Sequence, residues 1–252
     1  MKFAGAENAA TIQRKYYERT AHLYDAAHVT ETDEHFLALK YISAFCDILN
    51  VASALDVGCG TGRGMKYFLN HKPKIDIRGI EPVPTLIRQA VQANGIPREL
   101  IMVGSGDHLP FPDASIDAVL ECGILHHANE PGQVVREMLR VSRRAVFLSD
   151  ENRFAHGSLF SRCAKVVLCK TGVFGAAYRL KTLGKGYRFS EGDGLAYSYS
   201  VFDCIDLLVR WADRIILIPT DNIKTSGFFH PLLSSFHLLL CAVRDTETRD
   251  TE

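Results

Sequence analysis

The stretch that decides the fold reads Ala54-Leu55-Asp56-Val57-Gly58-Cys59-Gly60-Thr61-Gly62. An apolar run ends in Asp56, and glycine then occupies every second position up to Gly62. A helical pattern over residues 63–71 follows directly, so the stretch predicts a strand, a glycine turn and the start of a helix. Glycines at such a turn let the backbone bend sharply and leave main-chain N–H groups open to a ligand.

The spacing of these glycines argues against a dinucleotide site. A dinucleotide fingerprint requires G-x-G-x-x-G. The third glycine position falls on Arg63 when it is counted from Gly58, and on Met65 when it is counted from Gly60. A second alternating segment, residues 74–81, ends in Glu81, at roughly the distance where such folds place a ribose-binding carboxylate. A carboxylate there can accept hydrogen bonds from both ribose hydroxyls of a bound nucleoside.

Several segments together resemble one enzyme family. Asp56 followed by G-x-G-x-G resembles motif I of class I S-adenosylmethionine (SAM) methyltransferases, in which the glycine turn accommodates the methionine part of SAM. Residues 104–120 resemble the GDAxxLPFPDxSFD segment of the UbiE-like (methyltransferase type 11) group, and Leu125-His126-His127 matches that group's LHH. The resemblance covers about residues 50–150. It implies SAM as the cofactor and S-adenosylhomocysteine as its product.

The resemblance also implies which residues hold the cofactor. Aligned on Leu109-Pro110-Phe111, the adenine-binding Asp of the group falls on Ser105, whereas Asp107 lies two places later. Ser105, Asp107 or the backbone at Gly106 is therefore expected to hold the adenine amino group, and we favour Asp107. Tyr24 is expected to cover the sulfonium through a cation–π contact, with simple packing as the alternative. The expected cofactor set is Tyr24, Asp56, Gly58, Cys59, Gly60, Gly62, Glu81, Pro82, Ser105, Gly106, Asp107, Glu121 and Cys122.

Composition bounds the class of the whole chain. Its 252 residues suffice for one large α/β domain with a substantial core. The 29 basic and 29 acidic residues balance, so nothing in the overall charge indicates binding to a nucleic acid or to a membrane surface. Seven scattered Cys without a C-x-x-C pair favour reduced thiols and a cytoplasmic location. Residues 1–13 lack the features of a signal peptide, and no apolar run reaches spanning length. Nothing in the sequence indicates which oligomeric state the protein adopts.

Alternating strands and helices predict an α/β, Rossmann-like fold with a seven-stranded, mostly parallel sheet, helices on both faces and an antiparallel last strand. The strands are expected at about 53–57, 75–81, 99–103, 116–121, 145–149, 214–219 and 235–244. The helices between them are expected at about 62–71, 84–94, 131–140 and 201–212. Residues 1–50 form a helical cap (8–27 and 32–49). Residues 51–252 form the core, with an insertion at about 151–200 that holds a helix (153–170) and a mobile loop or hairpin (183–200).

Because ligands bind at the carboxyl ends of parallel strands, several strand-end residues are expected to converge on one crevice: Asp56, Glu81, Ser105, Glu121 and Asp150. The cluster Asp150-Glu151-Asn152 lacks a third carboxylate ligand elsewhere, so no metal ion is expected.

Three histidines are candidates for a general base: His126, His127 and His156. A base helps when the acceptor is a hydroxyl, because its proton must leave, and imidazole has a suitable pKa. The pair follows the fourth strand, where a structural role is the alternative. His156 follows the fifth strand, in the region expected to meet the acceptor.

The acceptor is expected to lie against the insertion. Tyr187, Tyr197 and Tyr199, with Glu191 and Asp193, can stack on and hydrogen-bond a polyol. The chain from Asp150 onward resembles, less specifically, methyltransferases from bacterial surface-polysaccharide gene clusters. These features favour O-methylation of a sugar hydroxyl in polysaccharide biosynthesis. The alternatives are C- or O-methylation of a quinone or lipid-like aromatic and, from another class, a non-catalytic SAM-binding regulatory or scaffold protein. The basic face of helix 153–170 is interpreted as solvated rather than membrane-bound.

Overall fold

The computed structural model describes residues 6–221 and 229–245. The strands are β1 (Ser53–Val57), β2 (Asp76–Glu81), β3 (Ile101–Val103), β4 (Ile116–Cys122), β5 (Ser142–Glu151), β6 (Tyr187–Ser190), β7 (Gly194–Tyr197), β8 (Arg214–Pro219) and β9 (His237–Val243). The helices are α1 (Ala6–His28), α2 (Glu34–Ile48), α3 (Arg63–His71), α4 (Pro84–Gln92), α5 (Pro131–Val141), α6 (Leu159–Lys170), α7 (Phe174–Lys181) and α8 (Ile205–Trp211).

One seven-stranded sheet, in the order β3-β2-β1-β4-β5-β9-β8, forms the centre of the molecule. Strands β1 to β5 pair in parallel, whereas β9 is antiparallel to both β5 and β8. The predicted fold class is therefore confirmed. The strand order reverses at β1, which lies between β2 and β4, and this is where open α/β sheets bind ligands.

Helices cover both faces of the sheet because the central strands are apolar on both faces. On one face α2 buries Leu39 and Ile42 against Phe147 of β5. On the other face α5 buries Val135 and Met138. Both layers leave the carboxyl ends of β1, β2, β4 and β5 at one edge, and that edge positions the site.

The helix predicted over 153–170 begins later than expected. A 3₁₀ turn occupies Arg153–Ala155, and Gly157 then adopts a φ of 86°, which interrupts a right-handed helix. The α-helix begins after Ser158, whose hydroxyl caps it by accepting from the N–H of Ser161. The sequence pattern gave no indication of α7, which is a separate short helix.

Residues 183–200 contain a β-hairpin, β6–β7, that is not part of the main sheet. This hairpin packs against α1, where the ring of Phe189 meets that of Tyr16 at a centroid distance of 5.9 Å. The domain boundaries stay a prediction, and residues 1–5, 222–228 and 246–252 of the predicted cap and core lie outside the described residues. Within the described parts of the chain, no helix is both long and apolar enough to cross a bilayer.

Candidate functional site

The glycine turn connects β1 to α3, and its three glycines have different reasons to lack a side chain. All three have positive φ, of 69°, 54° and 87°. A Cβ at Gly58 would lie 2.6 Å from Ile124, and one at Gly62 would lie 2.8 Å from Ile96, so packing requires both glycines. Among the described residues, a Cβ at Gly60 would meet only the carbonyl oxygen of Gly58, at 4.0 Å. Gly60 therefore borders open space in which a ligand can approach the main chain.

Four acids around this turn are buried at the strand ends: Asp56, Glu81, Glu121 and Asp150, each at most 4% exposed. Asp56 accepts a hydrogen bond from the N–H of Met65, and a Cβ at Gly64 would lie 2.4 Å from its Oδ2. Its carboxyl group therefore faces the start of α3. Burial raises the pKa of Asp56 to about 7.

Glu81 joins the end of β2 to the glycine turn. Its Oε2 accepts from the N–H of Gly60 at 3.0 Å, and its Oε1 accepts from the N–H of Val83 at 2.9 Å. Burial raises the pKa of Glu81 to about 7, against the lowering effect of these two N–H donors. Each oxygen keeps a second lone pair, so the ionised carboxylate can also accept from both hydroxyls of a ribose.

Helix α1 lies over this edge of the sheet and is attached to the glycine turn. Asp25 accepts from the hydroxyl of Thr61 and from the side-chain amide of Asn94, at 2.7 Å for the amide. The ring of Tyr24 lies 5.9 Å from that of Tyr17, and burial raises the pKa of Tyr24 to about 12. We did not predict the contact of Asp25 with Thr61, because its two partners are far apart in the chain.

The candidates for the adenine contact follow β3. Ser105 and Asp107 are exposed, whereas Gly106 packs closely, since a Cβ there would lie 2.8 Å from Val57. Pro82 and Cys122 directly follow Glu81 and Glu121, and Cys59 is buried in the glycine turn. Ser105, Gly106 and Asp107 stay alternatives for the adenine contact.

A second group of side chains lies where β4 and β5 end. Nδ1 of His126 is 2.7 Å from Oδ1 of Asp150. Asp150 also accepts from the N–H groups of Leu125, His126 and Glu151. The other carboxylate near these histidines belongs to Asp193, in the turn of the β6–β7 hairpin. Its carboxylate lies 3.6 Å from Nε2 of His126 and 3.5 Å from Nε2 of His127.

The charges of this group follow from these contacts. Burial alone would raise the pKa of Asp150, but His126 and the backbone donors bring it to about 2. Burial alone would lower the pKa of His126, but Asp150 and Asp193 raise it well above its ordinary value. Because an ionised Asp150 can only accept, Nδ1 of His126 carries the donated proton. Nε2 is then the nitrogen that faces Asp193.

His127 and His156 have different surroundings. Nδ1 of His127 lies 2.6 Å from the carbonyl oxygen of Leu195, which anchors the ring to the hairpin. His156 is exposed and its ring lies against that of Phe236, at a centroid distance of 4.9 Å. Burial and the nearby Lys165 lower the pKa of His156. The structure thus brings His126 and His127 together with Asp193, whereas His156 lies near Phe236 and Lys165.

The residues expected to meet the acceptor do not form one surface. Glu191 is exposed, and its carbonyl oxygen accepts from the hydroxyl of Tyr16. Tyr187 and Tyr197 face each other across the hairpin, with ring centroids 6.1 Å apart. Tyr199 is only 2% exposed and its hydroxyl reaches Sγ of Cys204, so it offers no open ring face.

A cavity of about 230 Å³ lies beside the segment that carries the two histidines. Leu125 and Ala128 form part of its wall, and the insertion contributes Tyr178, Tyr197 and Arg153. Gln13 of α1, which we did not predict, holds the hairpin in place by accepting from the N–H of Leu195.

Comparisons with known proteins relate this chain to methyltransferases, by sequence over part of its length and by fold over most of it. Residues 55–148 match the Methyltransf_11 family model, a methyltransferase domain. A methyltransferase of Burkholderia thailandensis, 1,6-didemethyltoxoflavin-N1-methyltransferase, has a structure with bound 1,6-didemethyltoxoflavin and S-adenosylhomocysteine. It superposes with a TM-score of 0.59 at 17% identity, over 97% of this chain and 93% of that one. The chain thus has the fold of that solved methyltransferase, and residues 55–148 are similar to a methyltransferase domain.

Other relatives extend the comparison. A SAM-dependent methyltransferase of Thermotoga maritima has a TM-score of 0.58 at 13% identity, over 92% of this chain and 100% of that one. An uncharacterised methyltransferase of Mycobacteroides abscessus is 36% identical over 96 residues, or 36% of each chain. Ajmaline N-methyltransferase of Rauvolfia serpentina is 33% identical over 92 residues, or 35% of this chain and 31% of that protein. The chain thus matches about a third of the length of these curated relatives.

The first prediction concerns the open space at Gly60. Gly60→Val and Gly95→Val both place a side chain at positive φ with open space around it, since a Cβ at Gly95 has no neighbour within 4 Å. Both substitutions should cost about 1–2 kcal/mol in the free energy of unfolding. Only Gly60→Val should abolish SAM binding by calorimetry, because only its side chain enters the ligand's path. Equal SAM affinity in the two variants would contradict a role of the space at Gly60 in binding SAM.

The second prediction concerns Glu81 and pH. Its pKa of about 7 means that the carboxylate is ionised above that pH and protonated below it. The affinity for SAM should therefore fall as the pH drops through 7. Glu81→Gln should bind more weakly at high pH, by about 1.5–3 kcal/mol for each charge-assisted hydrogen bond lost. This variant should also lose the part of the pH dependence that comes from Glu81, while Asp56, whose pKa is also about 7, keeps its own. Asp76→Asn, an exposed acid at the other end of β2, is the matched control. A pH profile that Glu81→Gln leaves unchanged would refute the ribose contact.

Proposed function

We propose that the protein transfers the methyl group of SAM to a hydroxyl of a small polar acceptor, with a sugar or glycan as the substrate class. The observation that carries this proposal is the Asp150–His126 pair at 2.7 Å, beside the glycine turn. The two parts are in contact, because Ile124 precedes the histidines and packs against Gly58. An Asp that orients an imidazole toward a hydroxyl is a recurrent arrangement for general-base catalysis.

In the proposed reaction the acceptor oxygen attacks the methyl carbon of SAM. The C–S bond breaks, its electron pair stays on sulfur, and S-adenosylhomocysteine leaves as a neutral thioether. The hydroxyl proton passes to Nε2 of His126, while Nδ1 keeps its proton toward Asp150. Positioning of the two reactants and exclusion of water by α1 and the hairpin account for the rest of the acceleration.

The assignment to His126 rests on its partners. Only His126 of the three candidates has a carboxylate behind Nδ1, whereas His127 has the Leu195 carbonyl. Asp193 must leave Nε2 before a hydroxyl can occupy that position. Its contact is loose, at 3.6 Å, and it lies in a hairpin turn that can shift when the acceptor binds. Departure of Asp193 also removes a negative charge, which lowers the pKa of His126 and readies it to accept a proton.

A hydroxyl acceptor is favoured over nitrogen for a chemical reason, although three relatives are named as N-methyltransferases, the Thermotoga maritima protein as a possible histamine N-methyltransferase. A neutral amine can attack with its lone pair and lose its proton afterwards, whereas a hydroxyl needs its proton removed during attack. The cavity of about 230 Å³ offers aromatic side chains, Arg153 and Asp203 to a polyol. A role in polysaccharide biosynthesis and a cytoplasmic location remain part of this proposal.

The third prediction identifies the acceptor class. The protein is incubated with methyl-labelled SAM and fractionated cell extract, and label should enter the carbohydrate fraction in many turnovers per protein molecule. The transferred methyl should resist alkaline hydrolysis, as a methyl ether does and a methyl ester does not. Label in a quinone or other lipid fraction would instead identify a quinone or lipid-like aromatic as the acceptor. Tight SAM binding without transfer to any fraction would favour the non-catalytic alternative.

The fourth prediction tests the base. His126→Gln should lower turnover about 10²- to 10⁴-fold while S-adenosylhomocysteine affinity stays near that of the wild type. His156→Gln is the control and should leave both quantities unchanged. The wild-type rate should rise with pH as His126 loses its proton. Asp193→Asn should move that rise to lower pH, since the imidazolium loses a counter-charge. This mechanism would be excluded if the rate of Asp193→Asn rose at the same pH as that of the wild type. Normal turnover in His126→Gln would also exclude it.

A further inference from the structure

Residues 159–189, here called the arm, contain α6, α7 and most of β6. They include seven Lys and Arg and no Asp or Glu. Because the whole chain has equal numbers of acids and bases, the rest of it carries seven more acids than bases. The arm is therefore a positive segment on a negative body.

The arm is also unusual in its burial. Within these residues, all of which the structure describes, neither α6 nor α7 has a buried residue. Large apolar side chains lie open instead: Leu159 is 67% exposed, Phe160 85%, Leu180 82% and Leu183 90%. Exposed apolar residues concentrated in one segment, rather than scattered singly, indicate a surface that another body covers.

Basic and apolar residues alternate along one groove of the arm. The groove has a volume of about 420 Å³, and its walls include Lys181, Lys185 and Arg188 together with Leu183 and Phe189. Such a groove suits a ligand that has a negatively charged head and an apolar body. The positive side chains can meet the charge while their neighbours contact the apolar part.

We infer that the arm docks on the surface of an anionic lipid bilayer, in place of the solvated basic face expected from the sequence of helix 153–170. A bilayer of this kind offers negative headgroups above hydrocarbon, which matches both properties of the arm. A nucleic acid matches the charge but leaves Phe160 and Leu180 uncovered. A second copy of the chain offers acids, but its large exposed apolar residues outside the arm lie on separate elements, among them Leu23 of α1, Ile48 of α2 and Val209 of α8.

Docking would bring the cavity beside Leu125 and Ala128 to the membrane. Phe174, Tyr178 and Arg179 of α7 form part of the cavity wall, so the arm and the cavity share one element. An acceptor held in the headgroup layer could then enter the cavity without leaving the membrane. The docking itself does not depend on methyl transfer, and its test measures no activity.

The fifth prediction is tested by flotation of the full chain, loaded with S-adenosylhomocysteine, with lipid vesicles. Phosphatidylcholine vesicles that contain phosphatidylglycerol should carry the protein upward, and vesicles of phosphatidylcholine alone should not. High salt should weaken the binding. Replacing the exposed Lys170, Lys181 and Lys185 by Gln should weaken the partition onto vesicles about 100-fold. Each lysine near an anionic surface is expected to strengthen that partition about fivefold. Removal of Lys15, Lys66 and Lys74 takes away the same charge elsewhere and should have little effect.

The apolar contribution needs its own variant. Leu180→Ser with Leu183→Asn should also reduce flotation, and Asn tolerates the φ of 53° at position 183. Ile48→Ser with Val209→Ser, which are 72% and 58% exposed, is the matched control outside the arm. Retained stabilisation by S-adenosylhomocysteine in a thermal shift shows that each variant is folded.

Several outcomes would overturn the inference. One is the absence of flotation with anionic vesicles, and another is an equal loss in the arm and control lysine variants. Full flotation of the apolar variant together with arm-dependent heparin binding would mark the arm as a polyanion site. Arm-dependent dimerisation without lipid, seen by sedimentation, would assign it to a second copy of the chain.

Discussion

The structure depends on keeping four carboxyl groups buried where parallel strands end. A buried charge or polar group is costly unless nearby donors satisfy it. Each of these acids accepts from main-chain N–H groups in the loops and helix starts at this edge of the sheet: Met65 for Asp56, Gly60 and Val83 for Glu81, Ile124 for Glu121, and Leu125 for Asp150. The loops at this edge are therefore fixed by the acids, and the crevice is shaped before any ligand arrives.

The four acids differ in charge because they differ in partners. Asp150 receives three N–H donors and the ring of His126, and its pKa lies at about 2. Burial, and then the charge of Asp150, raises the pKa of Glu121 well above its ordinary value. Its Oε1 has no hydrogen-bond partner among the described residues. These influences favour the protonated form of Glu121 beside the carboxylate of Asp150. The cofactor side, with Asp56 and Glu81 near 7, can gain or lose a proton with small changes in its surroundings.

The sequence predicted those parts of the molecule that local patterns specify. Asp56, Glu81 and Glu121 could be placed at one edge because alternation, turns and strand ends can be read along the chain. The fold and the cofactor follow from the same information. The position of Asp193 could not be predicted in this way. It meets His126 only because the hairpin is held by α1, and that contact joins Gln13 to Leu195 across most of the chain. Exposure is another property that the pattern did not reveal, as Tyr199 shows: a tyrosine in a glycine-rich segment lies in the core.

Helix α1 connects the two halves of the site. Asp25 is attached to Thr61 in the glycine turn, and Gln13 is attached to the hairpin that carries Asp193. Twelve residues separate these anchors, which corresponds to about 18 Å along a helix. The fit at the hairpin is close, since a Cβ at Gly194 would lie 2.5 Å from Oε1 of Gln13. A rigid element fixed at both ends cannot open over the cofactor without straining its contact at the hairpin. We therefore expect access to the glycine turn and release of Asp193 from His126 to be coupled through α1.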